Sequence, residues 1–185
     1  VQGLIHGSEL PPLIEAADVI VCGPGIGQGA WGQQMLQQVV ASGKPRVLDA
    51  DALNLMASRV AQPAHNHILT PHPGEAARLL ACDVAEIEED RVGAAGRISQ
   101  MFGGVVLLKG AGTVVAGGGA VPDVVSGSNP GMATGGMGDV LSGVLGSLYA
   151  QLKDARVATS AGAALHLAAA DLASETRGYM GLLPM

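Results

Sequence analysis

The stretch ADVIVCGPGIGQGAWGQQMLQQVVASGKPRVLDA, residues 17–50, contains one complete pattern of strand, helix and strand. Residues 17–22 form a short apolar run that opens into a glycine-rich turn, which predicts a strand. Apolar side chains then recur at helical spacing over residues 31–42, and Gly43 ends that helix. Residues 46–50 predict the next strand. This order is typical of a βαβ unit, in which the two strands run parallel.

The same alternation of strands and helices continues to the end of the chain. Further strands are predicted at residues 68–70, 105–109, 113–116 and 120–125, and the last two form a hairpin through three glycines. Further helices are predicted at residues 51–58, 75–80, 86–102, 139–151 and 156–175, the first of them capped by Asp51. The predicted fold is α/β, with a mostly parallel sheet, helices on both of its faces and ligands at the carboxyl ends of the strands.

Composition limits the kinds of partner this chain can have. Its 185 residues, 48% of them hydrophobic, suffice for a single domain over residues 1–185. A net charge of −6 with ten Lys and Arg residues argues against a nucleic-acid or anionic membrane partner. No apolar run reaches the ~18 residues of a membrane span, and no signal peptide is recognisable. A small molecule is expected, and any phosphate on it must be bound largely by backbone amides, helix N-termini and a divalent metal.

The termini, cysteines and histidines give weaker indications. The chain begins with Val1 rather than Met and stops abruptly at Met185, which predicts a domain truncated at both ends. Cys22 and Cys82 lack CxxC or metal-ligand spacing, so we interpret them as free thiols of a cytoplasmic protein. Four histidines without metal-ligand spacing are interpreted as structural or solvated: His6, His65, His67 and His166.

The strongest candidate for a functional site is NPGMATGGMGD, residues 129–139, directly before an apolar helix. Its glycines allow several backbone N–H groups to converge on one point, and the helix dipole adds positive potential there. The predicted anion hole consists of Gly135, Gly136, Met137 and Gly138. Asp139 faces the same space and could accept a proton from a substrate hydroxyl. The alternative is a tight turn in which Asp139 only caps the helix.

A second candidate follows the buried strand VVLLK. A lysine at the strand end and two glycines offer a cation and free amides to a phosphate or an adenosine. The residues concerned are Lys109, Gly110, Ala111, Gly112 and Thr113. The order of the lysine and the glycines differs from that of a Walker A loop. The alternative is a hairpin turn with a solvated lysine.

A third candidate is TPHPGE, residues 70–75. Two prolines hold His72 extended at a strand end, and Glu75 lies in the first turn of the following helix. Rigid placement of two polar side chains suits a binding site. The alternative is that His72 is only a surface or core histidine, which is the commoner situation for a lone histidine.

The fourth candidate is the glycine-rich turn after the first strand. Gly25, Gly27 and Ala30 match the dinucleotide fingerprint G-x-G-x-x-A, and Asp49 follows about twenty residues later. Spacing alone therefore also predicts an NAD-dependent oxidoreductase. That alternative leaves the other two glycine-rich segments without a role.

Five motifs in this order resemble the dehydratase domain of the NAD(P)H-hydrate repair enzymes, which belongs to the ribokinase-like superfamily. They are GPGIGQ, DADALNL, LTPHPGEAARLL, VVLLKGAGTVV and GMATGGMGDVLSG, and they span nearly the whole chain. The resemblance implies that hydrated NADH or NADPH binds together with ADP or ATP and Mg²⁺. The resemblance further implies that the ring hydroxyl is phosphorylated transiently and that elimination of phosphate restores the dihydronicotinamide. It also implies a homotetramer and a fused or separate epimerase, whose sequence is not among these residues.

The resemblance assigns roles to the predicted phosphate site. Asp139 would be the base near the ring hydroxyl, and the amides of residues 135–138 would hold the transferring phosphoryl group. Residues 109–113, with Gly138, would contact the adenine nucleotide.

The resemblance also assigns the nicotinamide side of the site. His72, with Gly25 and Gly27, would contact the hydrated cofactor, and Glu75 would help to place Mg²⁺ through a water molecule. Related vitamin kinases carry Asn-x-x-Glu where this chain has His72-x-x-Glu75. A small-molecule kinase of the same superfamily is therefore one alternative. A non-catalytic fragment that binds ADP without turnover is another.

Overall fold

The structure, a computed structural model, describes residues 9–58 and 63–184, so His6 lies outside the described residues. Within these ranges six strands form one sheet, in sequential order from β1 to β6. The strands are β1 (Ile20–Cys22), β2 (Arg46–Leu48), β3 (His67–Leu69), β4 (Val105–Leu108), β5 (Thr113–Gly117) and β6 (Ala120–Val125). Strands β1 to β4 are parallel, whereas β5 and β6 add to them antiparallel. The predicted mostly parallel sheet and its terminal hairpin are confirmed.

Helices connect the parallel strands and follow the hairpin. They are α1 (Leu10–Ala16), α2 (Ala30–Ala41), α3 (Ala50–Ala57), α4 (Pro73–Leu80), α5 (Val84–Glu89), α6 (Arg91–Phe102), α7 (Met137–Leu152) and α8 (Ala155–Arg177). Two short 3₁₀ helices, Pro130–Met132 and Tyr179–Gly181, lie in the loop before α7 and after α8. In the described part of the chain, no helix is both long enough and apolar enough to cross a bilayer.

Two local predictions were wrong. The cap of α3 is Asp49 rather than Asp51, because the carboxylate of Asp49 accepts a hydrogen bond from the N–H of Ala50. The single helix expected over residues 86–102 is divided into α5 and α6, because Asp90 has a non-helical backbone, with φ of −139° and ψ of 75°, and its side chain caps α6. Helix α1 was not among the predicted helices, and its two prolines lie in its first turn, which tolerates proline.

Both faces of the sheet are covered by helices, as predicted. Neighbouring strand residues point to opposite faces, and in β2 Val47 packs in one core whereas Leu48 packs in the other. Helices α2, α3, α4 and α6 supply the core that contains Leu48, and helices α7 and α8 supply the core that contains Val47. Gly138 at the start of α7 lies next to Lys109 and Asp49, which both follow parallel strands. The loop that leads into α7 therefore lies at the carboxyl ends of these strands.

Candidate active site

Lys109 follows β4, and its side chain reaches across the end of β3 to a carboxylate that follows β2. Its ammonium nitrogen lies 2.8 Å from Oδ1 of Asp49. The Asp49 side chain is almost completely buried, whereas 21% of the Lys109 side chain remains exposed. The backbone N–H of Lys109 donates to the carbonyl of Pro71, which ties the loops after β3 and β4 together. The cation is thus held at the sheet edge where ligands are expected.

Both carboxylate oxygens of Asp49 accept hydrogen bonds from protein groups. Oδ1 accepts from Lys109 and from the N–H of Ala50, and Oδ2 accepts from the hydroxyl of Ser142 at 2.8 Å. An acidic residue that recognises a ribose must be open to the ligand, but Asp49 is 1% exposed. The sequential strand order also places β1 at the edge of the described sheet, away from a dinucleotide switch point. The oxidoreductase interpretation of Gly25, Gly27 and Asp49 is therefore wrong.

His72 and Glu75 form the cap of helix α4. The N–H of Gly74 donates to Nδ1 of His72, and the N–H of His72 donates to Oε2 of Glu75. Because Nδ1 accepts, the ring proton of neutral His72 lies on Nε2, which is 3.5 Å from Glu75 Oε1. The His72 side chain is about half exposed, 49%, whereas Glu75 is buried. A single capping motif therefore fixes the orientation of the imidazole.

Glu75 also approaches the lysine. Its Oε2 lies 3.7 Å from the ammonium nitrogen of Lys109, so two buried carboxylates flank one cation. Among the described residues no group of three His, Cys, Asp or Glu side chains could hold a metal ion. The side chains alone therefore do not form a metal cage. The carboxylates of Asp49 and Glu75 are compatible with a Mg²⁺ ion that retains several water ligands and is coordinated mainly by substrate phosphates, as is common for Mg²⁺.

The predicted anion hole lies at the N-terminus of α7. Gly136, with φ of 93°, is the residue before the helix, so the alternative in which Asp139 caps α7 is wrong. Helix geometry leaves the N–H groups of Gly138 and Asp139 without an acceptor inside the helix, and they point out of its first turn. The Asp139 side chain is exposed in that turn, and no hydrogen bond or ion pair of it occurs among the described residues.

The loop before α7 and the loop after β4 meet at Gly138. A Cβ at this position would lie 3.3 Å from the ammonium nitrogen of Lys109 and 3.6 Å from Oδ2 of Asp49. An added side chain would be in tight contact with the lysine, which would have to move by a few tenths of an ångström. Two segments that the sequence analysis treated separately therefore form one site.

A cavity of about 400 Å³ opens between these two loops. Five of its lining residues were predicted to contact the nucleotide: Lys109, Gly110, Ala111, Thr113 and Gly138. Gly112 is the one member of that set that does not line the cavity. Away from the lysine the wall is apolar, with side chains from the hairpin and from helices α7 and α8, including Val125, Leu141 and Leu167.

Two polar residues of this cavity were not predicted as functional. His166 of α8 lines the apolar part, and burial lowers the pKa of its imidazole, so the ring is neutral near pH 7. Asn129 fixes the loop before α7: its Nδ2 donates to Asp171 and Ser174 of α8, and its Oδ1 accepts from Gly131. Sequence periodicity placed His166 in a helix but gave no indication that α8 crosses the cavity.

The glycine-rich turn after β1 is held by the DADALNL motif. Asp51 accepts from the N–H of Gly27 through Oδ2 and from the Gln28 amide through Oδ1. Gly25 and Gly27 both adopt positive φ, 71° and 70°. The turn is therefore fixed at the same edge of the sheet as Lys109 and His72. It does not line the cavity described above, so the predicted nicotinamide and nucleotide contacts lie in separate parts of the site.

Comparison with known proteins identifies relatives along most of the chain. The family model described as NAD(P)H-hydrate dehydratase matches residues 4–185. The bifunctional NAD(P)H-hydrate repair enzyme of Escherichia coli strain K12 is 52% identical over 186 residues. That match covers 97% of this chain and 35% of the relative, so the chain spans about a third of the length of that protein.

Two solved structures have the same architecture. A ribokinase-like superfamily protein from Enterococcus faecalis is 29% identical with a TM-score of 0.84, and the match covers 96% of this chain and 62% of that one. The ADP/ATP-dependent NAD(P)H-hydrate dehydratase from Bacillus subtilis, co-crystallised with ATP and Mg²⁺, is 30% identical with a TM-score of 0.81. This second match covers 93% of this chain and 64% of the Bacillus chain. The ribokinase-like prediction is confirmed.

Proposed function

Because this chain belongs to the NAD(P)H-hydrate dehydratase family, we propose that it uses ADP or ATP to dehydrate (S)-NADH-hydrate and (S)-NADPH-hydrate to the reduced cofactors. The observation that carries this proposal is the meeting of Lys109 and Gly138 at one cavity. A cation and the free amides of a helix N-terminus converge there, which suits a nucleotide's phosphates. Lys109 is the one Lys or Arg residue among those that line this cavity in the described part of the chain.

The nucleotide fits the cavity in one orientation. Its phosphates would lie between Lys109 and the turn at residues 135–138, where the hydrogen-bond donors are. Its adenine would lie among the apolar side chains of the far wall, toward His166. Burial of a flat apolar base in such a wall is favourable, and a neutral imidazole can donate or accept one hydrogen bond there.

The chemistry requires a base beside the phosphoryl group. Asp139 is exposed in the first turn of α7, one residue after Gly138. Its carboxylate would accept the proton of the ring hydroxyl as the oxygen attacks the terminal phosphorus of the nucleotide. The amides of Gly135, Gly136 and Gly138 would stabilise the charge on the transferring group, whereas the N–H of Met137 donates to the carbonyl of Thr134. The nucleotide leaves one phosphate shorter.

The phosphorylated ring then loses phosphate. The C–O bond breaks, the neighbouring carbon gives up a proton, and the electron pair of that C–H bond forms the ring double bond. Hydroxide is a poor leaving group and phosphate a good one, so the transient ester explains why a nucleotide is consumed. His72, with its ring oriented by the hydrogen bond from the N–H of Gly74, and the turn at Gly25 and Gly27 would hold the nicotinamide ring.

Mg²⁺ is part of the proposal as an ion bound chiefly by the nucleotide's phosphates. Glu75 would contact it through water, and it would supply further charge neutralisation at the transferring phosphoryl group. A cytoplasmic location, a homotetramer and an epimerase acting before this enzyme are further predictions of the resemblance.

A small-molecule kinase is the alternative that shares the anion hole and Asp139. The two functions differ in their products, because a kinase releases a stable phosphate ester whereas the dehydratase releases inorganic phosphate and a reduced dinucleotide. Incubation with hydrated NADH, ADP and Mg²⁺ followed by mass spectrometry distinguishes them. NADH, AMP and free phosphate support the dehydratase. A lasting phosphorylated dinucleotide supports the kinase.

A further inference from the structure

We propose that Asp49 and Ser142 are positioning residues, which hold the ammonium group of Lys109 against the first turn of α7 so that both act on one phosphoryl group. This inference rests on the proposed nucleotide-dependent function. Neither residue touches the cavity, so both act through other groups.

Asp49 links three segments that are distant in the sequence. One carboxylate accepts from Lys109 after β4, from Ala50 at the start of α3 and from Ser142 of α7. Ala50 has a φ of 46°, a left-handed conformation that costs a non-glycine residue roughly 1 kcal/mol. The local backbone therefore adopts an unfavourable conformation where it places this carboxylate.

The ammonium of Lys109 has three N–H donors. One is directed to Asp49 at 2.8 Å and a second lies toward Glu75 at 3.7 Å. Both carboxylates are buried on the protein side of the lysine, which leaves the third N–H for the cavity that Lys109 lines. The orientation of the cation is thus determined before a nucleotide binds, which lowers the entropy cost of binding.

Ser142 fixes the helix that carries the anion hole. It is completely buried, and it lies three residues after Asp139, so the two residues are neighbours on the helix surface. Holding the Ser142 hydroxyl on Asp49 sets the rotation of α7 about its axis. That rotation determines where the N–H of Gly138 and the carboxylate of Asp139 point.

The test is a double-mutant cycle read by ADP binding to the 185-residue chain. Asp49→Asn keeps the shape of the side chain and removes its charge, and Lys109→Met removes the cation. We expect Asp49→Asn to weaken ADP binding about tenfold, in the range of couplings between contacting residues. In the Lys109→Met background, the same Asp49→Asn change is expected to have no further effect on ADP affinity.

Ser142→Ala provides an independent variant, because it removes one hydrogen bond and leaves the charges intact. We expect turnover to fall about fivefold or more while ADP affinity changes less, since α7 is then free to rotate Asp139 away from the substrate. Ser99→Ala is the matched control. It removes a comparable 2.9 Å hydrogen bond to the carbonyl of Gly104, away from the cavity lining, and is expected to leave turnover unchanged.

Additive effects of Asp49→Asn and Lys109→Met on ADP affinity would overturn the positioning role, as would a Ser142→Ala variant that behaves like Ser99→Ala. In those cases the wild-type protein still binds ADP and dehydrates the substrate. If the wild-type protein binds no ADP and dehydrates nothing, the proposed function and this inference fail together.

Discussion

The ammonium nitrogen of Lys109 lies 2.8 Å from Oδ1 of Asp49, although the two residues are 60 positions apart in the sequence. Asp49 follows β2 and Lys109 follows β4, so one strand lies between them. Neighbouring strands are roughly 5 Å apart, so the ends of β2 and β4 are roughly 10 Å apart, and the lysine and aspartate side chains span that distance together. This ion pair joins the segments that follow β2 and β4, next to Gly138 of α7, and Lys109 forms the polar end of the cavity.

Asp139→Asn tests the proposed base. The amide cannot accept a proton, so we expect turnover to fall by about two orders of magnitude or more while ADP affinity stays nearly unchanged. Steady-state kinetics and ADP titration measure the two quantities. Asp154→Asn is the control, because Asp154 caps α8 beyond the opposite end of α7 and asparagine caps a helix equally well. Unchanged turnover in Asp139→Asn would remove that residue from the mechanism.

Gly138→Ala tests the close approach of α7 to Lys109. The new Cβ would lie 3.3 Å from the ammonium nitrogen, in the space assigned to the phosphates, so ADP affinity should fall about tenfold, or ~1.4 kcal/mol. Gly143→Ala is the matched control on the same helix, where a Cβ meets nothing within 4 Å. That variant should stabilise the protein by about 0.5–1 kcal/mol and leave ADP affinity unchanged. Equal ADP affinities for the two variants would contradict the assignment.

Gly23→Ala tests how the turn after β1 is packed. Gly23 has a φ of 139°, and a Cβ there would collide with the backbone carbonyl of Asp49. Because backbone atoms cannot move away cheaply, we expect a loss of about 3 kcal/mol of stability. Gly25→Ala is the comparison, since a Cβ at Gly25 meets nothing and only its left-handed backbone is penalised, by about 1 kcal/mol. Urea unfolding measures both, and similar losses would show that the contact with Asp49 is looser than described.

His67 makes stability depend on pH. Burial, with a smaller effect of the nearby Arg46 charge, lowers the pKa of its imidazole to about 4. As the pH falls from the ordinary pKa of histidine toward 4, the His67 imidazole is protonated in the unfolded chain but stays neutral in the folded chain. The free energy of unfolding therefore decreases over that pH interval. We expect about 2 kcal/mol less stability from His67 at pH 5 than at pH 7. Urea unfolding at both pH values should show a smaller difference for His67→Gln, and an identical difference would contradict the prediction.

Local patterns were sufficient to predict most of the fold. All six strands and the hairpin were expected close to where they occur, because β1 to β5 are short apolar runs bounded by turn residues, and the exposed strand β6 follows a turn of three glycines. The errors arose where local signals compete. Asp49 and Asp51 are both good capping residues, and only the backbone conformation at Asp49 determines which one caps α3.

The site was predictable only in part. Glycine-rich segments identified the two loops that line the cavity, but their contact at Gly138 depends on how α7 packs against the sheet. The roles of Asp49, Ser142 and His166 depend on distances between elements far apart in the chain, which periodicity does not provide. The sequence did contain one signal for the ion pair. Asp49 and Lys109 each follow a parallel strand, and the carboxyl ends of parallel strands lie at the same edge of a sheet.

We propose that this chain converts hydrated NADH back to NADH and consumes a nucleotide in the reaction. The most direct measurement mixes the protein, Mg²⁺ and hydrated NADH with ADP, with ATP or with no nucleotide, and follows the near-ultraviolet absorbance of the reduced nicotinamide ring. The account predicts recovery of that absorbance only when a nucleotide is present. Recovery without a nucleotide, or none with either nucleotide while ADP binds, would contradict it.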